Sequence, residues 1–431
     1  MHRRGLRRGE AGRALLVTSV LVLAVCATGC GGGTAPSVSG EVGGSWSRVP
    51  DDEAGFDAGA AEGVELHAVV AGGPGYVAVG MVGHLWDPMG TNVAGVWTSS
   101  DGRAWTRVPD DDEVFGGTGT TVMTAVTAGG PGLVAVGFEL QGGNLGDAAV
   151  WISDDGLSWS RITDQQTALG GPNDERLWAV TSGGPGLVAV GYERPAEVYD
   201  ESLAAVWVSP DGRSWSRISD DTGAFSVAEG QMISDVTAGG PGLVAVGSVE
   251  TTASAVWTSP DGLVWNAVQD PEALSEPGAP PMGRVATGGP GLIATGAMCS
   301  GGPDDEPCTW TGGVWTSPDG TDWTRRTADE VGGEAPMMND LVTVGSSVIA
   351  VGSAPPESGQ AVGFRSVGAA WTSPDGIAWQ RVPDDEVFGG ADRVELRSVA
   401  ASEAGLVAVG ALTTVPDDGP WSSTAAVWTS P

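Results

Sequence analysis

One sentence of sequence is written seven times along this chain, and that repetition limits the possible folds more than any single residue does. Its clearest copy runs Met123–Arg161. A strand-like Met123–Ala128 meets the turn Gly129-Gly130-Pro131-Gly132, followed by Leu133-Val134-Ala135-Val136-Gly137. After a variable loop come Ala148-Ala149-Val150-Trp151, a turn at Ser153–Gly156, and Trp159-Ser160-Arg161. The Gly closing the second segment recurs at 80, 137, 191, 247, 296, 352 and 410, and the Trp of the third at 97, 151, 207, 257, 315, 371 and 428. Successive copies lie 49 to 58 residues apart. A unit of that size with four short apolar segments predicts a β-propeller blade. The fold class expected is therefore all-β, a seven-bladed β-propeller.

Each unit divides into strands A (such as Leu177–Thr181), B (Leu187–Gly191), C (Ala204–Ser209) and D (Ser214–Ile218). Gly-Gly-Pro-Gly and Ser-Pro-Asp-Gly suit tight antiparallel turns: Pro presets φ, Asp bonds nearby backbone, and Gly takes positive φ. Two residues before each strand-C Trp stands a small residue (Gly95, Ala149, Ala205, Ala255, Gly313, Ala369, Ala426), read as permitting close approach of neighbouring sheets. Strand-D Trp occur at 46, 105, 159, 215, 265, 323 and 379. The first precedes any strand A, and Val427-Trp428-Thr429-Ser430-Pro431 ends where a seventh strand D would begin. The N-terminal strand is thus expected to complete the last blade and close the ring, which removes its open edges.

Residues 1–29 read as a signal peptide: Arg3, Arg4, Arg7, Arg8 and Arg13 precede an apolar stretch Ala14–Ala27 that is too short to span a bilayer. Ala27-Thr28-Gly29-Cys30 resembles a bacterial lipobox, which implies lipid on Cys30, a linker to residue 42 and a propeller over 43–431. The expected location is the outer face of the cell membrane, with lipid as the only membrane contact. Cys26 would leave with the signal, so Cys299 and Cys308 remain as an exported disulfide pair. Loss of residues 1–29, with five Arg and one Glu, takes the formal charge from −34 to −38. Such a surface repels nucleic acid and anionic lipid. A closed ring of this kind needs no second copy, and a monomer is expected.

Ser209-Pro210-Asp211-Gly212-Arg213-Ser214-Trp215 and its counterparts resemble the Asp-box (BNR) repeat of sialidase-like propellers, one residue shorter between Asp and Gly, with Asp at 101, 155, 211, 261, 319 and 375. The resemblance implies the fold. In that family the box is a turn element away from the active site, and it does not imply sialidase activity. The family's arginine triad, Tyr/Glu nucleophile and acid have no matching positions here. The chain has Tyr only at 76, 192 and 199, and a Ser/His/Asp triad is nearly excluded with His67 and His84 the only histidines past the signal.

In a propeller the A–B and C–D turns share one face, which here hardly varies, and the B–C and D–A connections share the other, which does. Variable loops on a constant scaffold are where binding usually resides. Of 18 Trp, 14 are framework; the others are Trp86, Trp310 and Trp421 in B–C loops, and Trp178. Amphipathic aromatics there suit sugar stacking or a protein anchor. Acidic connections (Asp51–Glu53, Asp110–Glu113, Asp384–Glu386) offer weak support for Ca²⁺, and no cofactor is expected. Strand A lines the channel, where His67, Asp235, Arg284, Asp340 and Arg397 are candidate ligand contacts. The function expected is a cell-envelope binding module for a protein or glycan, with a sialidase-like glycoside hydrolase as the alternative. The strand after the 14-residue linker 31–44, about 50 Å at full stretch, begins at the constant face. The variable face is therefore expected to point away from the membrane.

Overall fold

The computed structural model describes residues 42–56, 63–83, 92–109, 111–117, 119–140, 145–163, 166–196, 201–226, 230–250, 252–269, 271–276, 278–300, 309–327, 329–331, 336–355, 365–383, 386–414 and 422–431. They belong to one compact unit, Gly40–Pro431. The calls on Cys30, Trp86, Trp421 and the Cys299–Cys308 bridge lie outside the described residues or side chains. Among the described residues no helix is long and apolar enough to cross a membrane.

Seven four-stranded antiparallel sheets form the molecule, each in the simple order first to fourth strand, as in Val64–Gly72, Gly75–Val82, Val93–Ser99 and Thr106–Arg107. We number the blades 1 to 7 from that sheet. The seventh is completed from the other end of the chain: Ser47–Arg48 pairs with Ser422–Ser430 in the register Ser47↔Thr429, Arg48↔Trp428. The expected ring closure by the N-terminal strand is therefore the observed one. Outermost strands are only two residues long, shorter than Ser214–Ile218 suggested, for example Ser216–Arg217.

Turn chemistry explains the first hairpin of the five blades that carry Gly-Gly-Pro-Gly. Gly129 pairs with Gly132, so Gly130 and Pro131 alone make the turn, and Gly130 has φ +57°. A side chain is disfavoured at that φ, and Pro supplies the fixed negative φ that follows. The C–D turn is built from side chains. Ser153 Oγ accepts the Gly156 N–H at 2.8 Å, and Asp155 Oδ1 accepts the N–H groups of Leu157 (2.8 Å) and Ser158 (2.7 Å). The indole of Trp159 donates to Gly156 O at 3.0 Å. These backbone bonds hold Asp155 and its counterparts Asp101, Asp211, Asp261, Asp319 and Asp375 below the usual carboxylate range.

The cores lie in the seams between blades. At the seam of blades 2 and 3, Val134, Val136 and Val150 pack on Leu177, Leu187, Ala189, Trp207 and Trp215, all buried. In five blades the framework Trp indole stitches the blade to the connector that precedes it: Trp151 Nε1 donates to Val114 O at 2.7 Å and Trp207 Nε1 to Ala168 O at 2.6 Å, with like bonds from Trp257, Trp315 and Trp428. Two residues before this Trp, five blades carry Ala and two carry Gly, and at the two Gly the indole itself occupies the space a side chain would take. A Cβ at Gly95 would lie 2.4 Å from the ring of Trp97, and one at Gly313 2.4 Å from that of Trp315, so the space is needed by the indole of the same strand. Opposite these Trp, across the outermost strand, stands Arg in six blades: Arg107, Arg161, Arg217, Arg325, Arg381 and Arg48. The guanidinium of Arg161 lies 5.5 Å from the Trp151 ring centroid, a cation–π arrangement.

Candidate functional site

Six of the seven innermost strands break register at one level, that of blade 5 being the exception. The shift falls between Leu66 and Ala68, Met123 and Ala125, Leu177 and Ala179, Ile233 and Asp235, Met338 and Asp340, and Leu396 and Ser398. The residue in each bulge is His67, Thr124, Trp178, Ser234, Asn339 or Arg397. The bulge accounts for the recurrent Gly of the second strand. A Cβ at Gly137 would sit 1.9 Å from Val122 O, and one at Gly191 1.8 Å from Arg176 O, so only Gly permits the bulged strand to approach.

Bulge side chains join neighbouring blades around the axis. His67 Nδ1 donates to Met123 O at 2.8 Å, Thr124 Oγ1 to Leu177 O at 2.8 Å, and Asn339 Nδ2 to Leu396 O at 2.9 Å. Blade 5 substitutes a second-strand residue, with Thr295 Oγ1 donating to Met338 O at 2.9 Å. One residue further on, Asp235 Oδ2 accepts the Val285 N–H and Asp340 Oδ2 the Val399 N–H, both at 2.9 Å, while Ser398 Oγ accepts that of Val69 at 3.2 Å. His67, Asp235 and Asp340 are thus ring-joining groups.

Nearer the variable face, the seam of blades 7 and 1 carries an ion-pair chain. Arg397 donates to Glu65 Oε2 at 2.9 Å and to Glu395 Oε2 at 3.4 Å, and Arg393 also pairs with Glu395. His67 Nε2 lies 3.8 Å from Glu65 Oε2. Burial opposes ionisation of Glu65, but the hydrogen bonds and charges of His67 and Arg397 outweigh it and hold the carboxyl at about 2.

Blade 3 contributes a second assembly. Asp174, 0% exposed, receives four donors. Gly146 N–H (2.9 Å) and Arg176 Nε (3.0 Å) meet Oδ1; Tyr192 OH (3.1 Å) and Arg194 Nη2 (2.5 Å) meet Oδ2. Arg176 is held 4.7 Å from the Phe138 ring centroid and 6.0 Å from that of Tyr192. Trp178 packs edge-on to Phe138 at 5.8 Å and tilted to Tyr192 at 6.3 Å. Burial, with Asp174 close by, pushes the Tyr192 phenol up to about 12. Behind this group Glu175 is 6% exposed, and its Oε2 has no hydrogen-bond partner among the described residues. Burial first, then the charges of Glu193 and Asp147, raises it to about 7.

Arg284 bears electrostatically on both Asp235 and Asp340. These carboxylates keep some surface on the channel but are surrounded by protein; burial raises Asp235 to about 6 and raises Asp340 as well. The signs of these shifts predict a stability maximum on the acid side. Groups raised in the folded state stabilise it below their unfolded values, and that contribution is lost as pH climbs through about 6 for Asp235 and about 7 for Glu175. The box aspartates and Glu65 are lowered, so their contribution exists above roughly pH 4 and is lost as pH falls through their folded values. The melting temperature is expected to rise from pH 8 to about pH 5 and to fall below about pH 4. Glu175→Gln should flatten the upper part of that rise in a calorimetric pH series.

The predicted site residues are thus divided. Trp178, His67 and Arg397 lie at the channel, on bulges, and Asp235, Arg284 and Asp340 lie beside them. Trp310 is half-buried near the end of the blade 5 hairpin, paired with Cys299, and not grouped with Trp178 in any described contact. Among the described residues no group of three or more His, Cys, Asp or Glu is arranged to hold a metal ion. Asp51 and Glu53 of the first acidic connection are engaged by Arg48 (2.6 Å) and Arg103 (2.7 Å). Sequence reasoning missed Glu65, Glu395, Asp174, Glu175, Arg176 and Tyr192. Apart from Tyr192 on the second strand, their signal was charge at the start of an inner strand, where other blades carry Val122, Met232 or Met337. A recess of about 340 Å³ on the outer half of blade 3, lined in part by Leu203, Phe225 and Asp220, lies apart from this mouth.

No family model matches the chain, and no curated protein matches it. Solved structures resemble it in fold. A Trypanosoma rangeli sialidase shares 13% identity at a TM-score of 0.45, with 71% of this chain and 53% of the sialidase covered, so the chain spans about half the sialidase's length. A Dyadobacter fermentans protein of unknown function shares 12% at 0.44, covering 89% of this chain and 97% of its own. An α-L-arabinofuranosidase from Fusarium graminearum shares 16% at 0.41, covering 70% and 91%. These structural neighbours include sialidase and glycoside hydrolase propellers, and the chain described above is itself a seven-bladed propeller.

Proposed function

We propose that this protein is an exported propeller, anchored through lipid at Cys30, that binds a glycan at the channel mouth on its variable face. The observation that carries the reading is the two-sided character of that mouth. Blade 3 presents the half-buried Trp178, backed by the buried rings of Phe138 and Tyr192 with Arg176 held among them, while blades 7 and 1 present the chain Arg393–Glu395–Arg397–Glu65. Sugars have an apolar C–H face and a rim of hydroxyls, and such a pair of surfaces suits both. Binding is favoured over catalysis because most carboxylates at the mouth already meet guanidinium groups, which removes the free base or nucleophile that hydrolysis needs.

The hydrolase reading retains one supporting observation, the high value of Glu175, which would suit a general acid. Its burial shields it from substrate. A glycan and cell-wall-fragment array probed with wild-type protein and Trp178→Ala tests the proposal, with Trp86→Ala/Trp310→Ala/Trp421→Ala alongside. Wild-type binding that weakens about tenfold or more in Trp178→Ala, at unchanged melting temperature, is the expected result. A blank array with folded protein would shift the reading to a protein partner. Turnover abolished by Glu175→Gln would establish the hydrolase.

A further inference from the structure

We infer that the glycan received at the channel mouth is uncharged, a conclusion that rests on the binding reading above. The chain carries a formal charge of −34, yet Arg176, Arg194, Arg393 and Arg397 at the mouth already meet carboxylates, and Glu175, whose Oε2 has no partner among the described residues, is buried behind them. Arg397 meets Glu65 at 2.9 Å and Glu395 at 3.4 Å, Arg393 meets Glu395, and Arg176 and Arg194 both end on the buried Asp174 at 3.0 and 2.5 Å. On the other wall the charge of Arg284 is set against Asp235 and Asp340.

A carboxylate-bearing sugar needs a guanidinium with hydrogen-bonding capacity aimed at it. Here it would have to draw Arg397 from two carboxylates, or Arg176 from a carboxylate that burial leaves no water to replace. It would also approach against the field of the whole molecule. A cationic sugar is drawn to that field everywhere, but at the mouth it finds carboxylates already capped by arginine. Hydroxyl groups displace nothing. They donate to the outer lone pairs of paired carboxylates and accept from the remaining N–H groups of paired guanidiniums, while the C–H face rests on the half-buried Trp178.

The test is titration calorimetry of the full chain with three matched probes: a neutral galacto-oligosaccharide, an oligogalacturonate and an oligogalactosamine, each at 50 and 500 mM NaCl, preceded by the array above to select the neutral backbone if another binds better. The expected result is that the neutral probe binds, changes affinity less than about twofold with salt, and loses about tenfold in Trp178→Ala. The oligogalacturonate is expected to bind at least about tenfold more weakly. Tighter binding of the galacturonate or galactosamine probe, falling with salt and sensitive to Trp178→Ala, overturns the inference and leaves the glycan reading intact. Absence of binding by any array glycan, neutral or charged, overturns both.

Discussion

Trp46→Ala is expected to lower stability by about 3–5 kcal/mol, and deletion of residues 43–49 to lose the closed ring altogether. Trp46 is 3% exposed in the seam of blades 6 and 7, where it packs with Val394, Leu396 and Trp428 and lies 6.4 Å from the Phe388 ring. Its indole donates to Gly43 O at 2.9 Å, the same bond that Trp105 makes to Gly102 at 3.1 Å. Gly43 and Gly102 also share their backbone conformation, φ +77° and +76°. Residues 42–46 are therefore the second half of a seventh C–D turn whose first half is Ser430-Pro431. The halves are not held as in the other blades. Val42 stands where the six others have Asp, and Ser430 Oγ, buried, has no partner among the described residues. Closure consequently depends on the Trp46 side chain, two paired residues, and the Val49 N–H bond to Val427 O at 2.9 Å. Urea denaturation with hydrogen-exchange readout on blade 7 measures this. A deletion variant with the wild-type midpoint would show that the ring does not need its N-terminal strand.

The architecture was legible because repetition reports it redundantly: seven copies of Gly-Gly-Pro-Gly or its relatives, seven strand-C Trp and an outermost-strand Trp at the wrong end of the chain fix blade number, register and closure. The physical purposes of the repeated residues were less legible. The Gly column at 80 to 410 reads as a strand terminus, and only the carbonyl 1.9 Å from the missing Cβ of Gly137 reveals a bulge on the strand beside it. Six of the arginines likewise have a place in the structure that composition hides, and three of them lie over the framework indoles. Arg stands opposite the framework Trp in six blades, where a planar guanidinium can lie over an indole and a Lys would do so less well. The mouth was the least legible part. Trp178 and Arg397 stood out as departures from the repeat, but Asp174 gains meaning only from Gly146 and Arg194, which strand pairing and blade order bring to it from 28 and 20 residues away. Such a group is set by tertiary geometry, for which a linear pattern has no signal.

Asp174→Ala is expected to cost about 3–5 kcal/mol and to abolish ligand binding at the mouth. The carboxylate is completely buried, and its removal takes the shared acceptor from two guanidiniums, a phenol and a backbone N–H. Orphaned charges of that kind are costlier than the pair was stabilising, because desolvation remains after the attraction is gone. Arg194, with 20% of its side chain exposed, can turn toward solvent; Arg176 is confined by the rings of Phe138 and Tyr192. Freed from Asp174, it no longer fixes those rings, so the surface on which Trp178 leans loses its shape even where the fold survives. Asp174→Asn separates the two effects. Its amide oxygen still accepts the Gly146 N–H, but it cannot neutralise two cations, so a smaller loss of stability should accompany a comparable loss of binding. Chemical denaturation gives the first quantity and calorimetry with the best array glycan the second. If Asp174→Asn binds as wild type does, the aromatic wall holds its shape without the buried carboxylate, and Arg176 is packing rather than positioning.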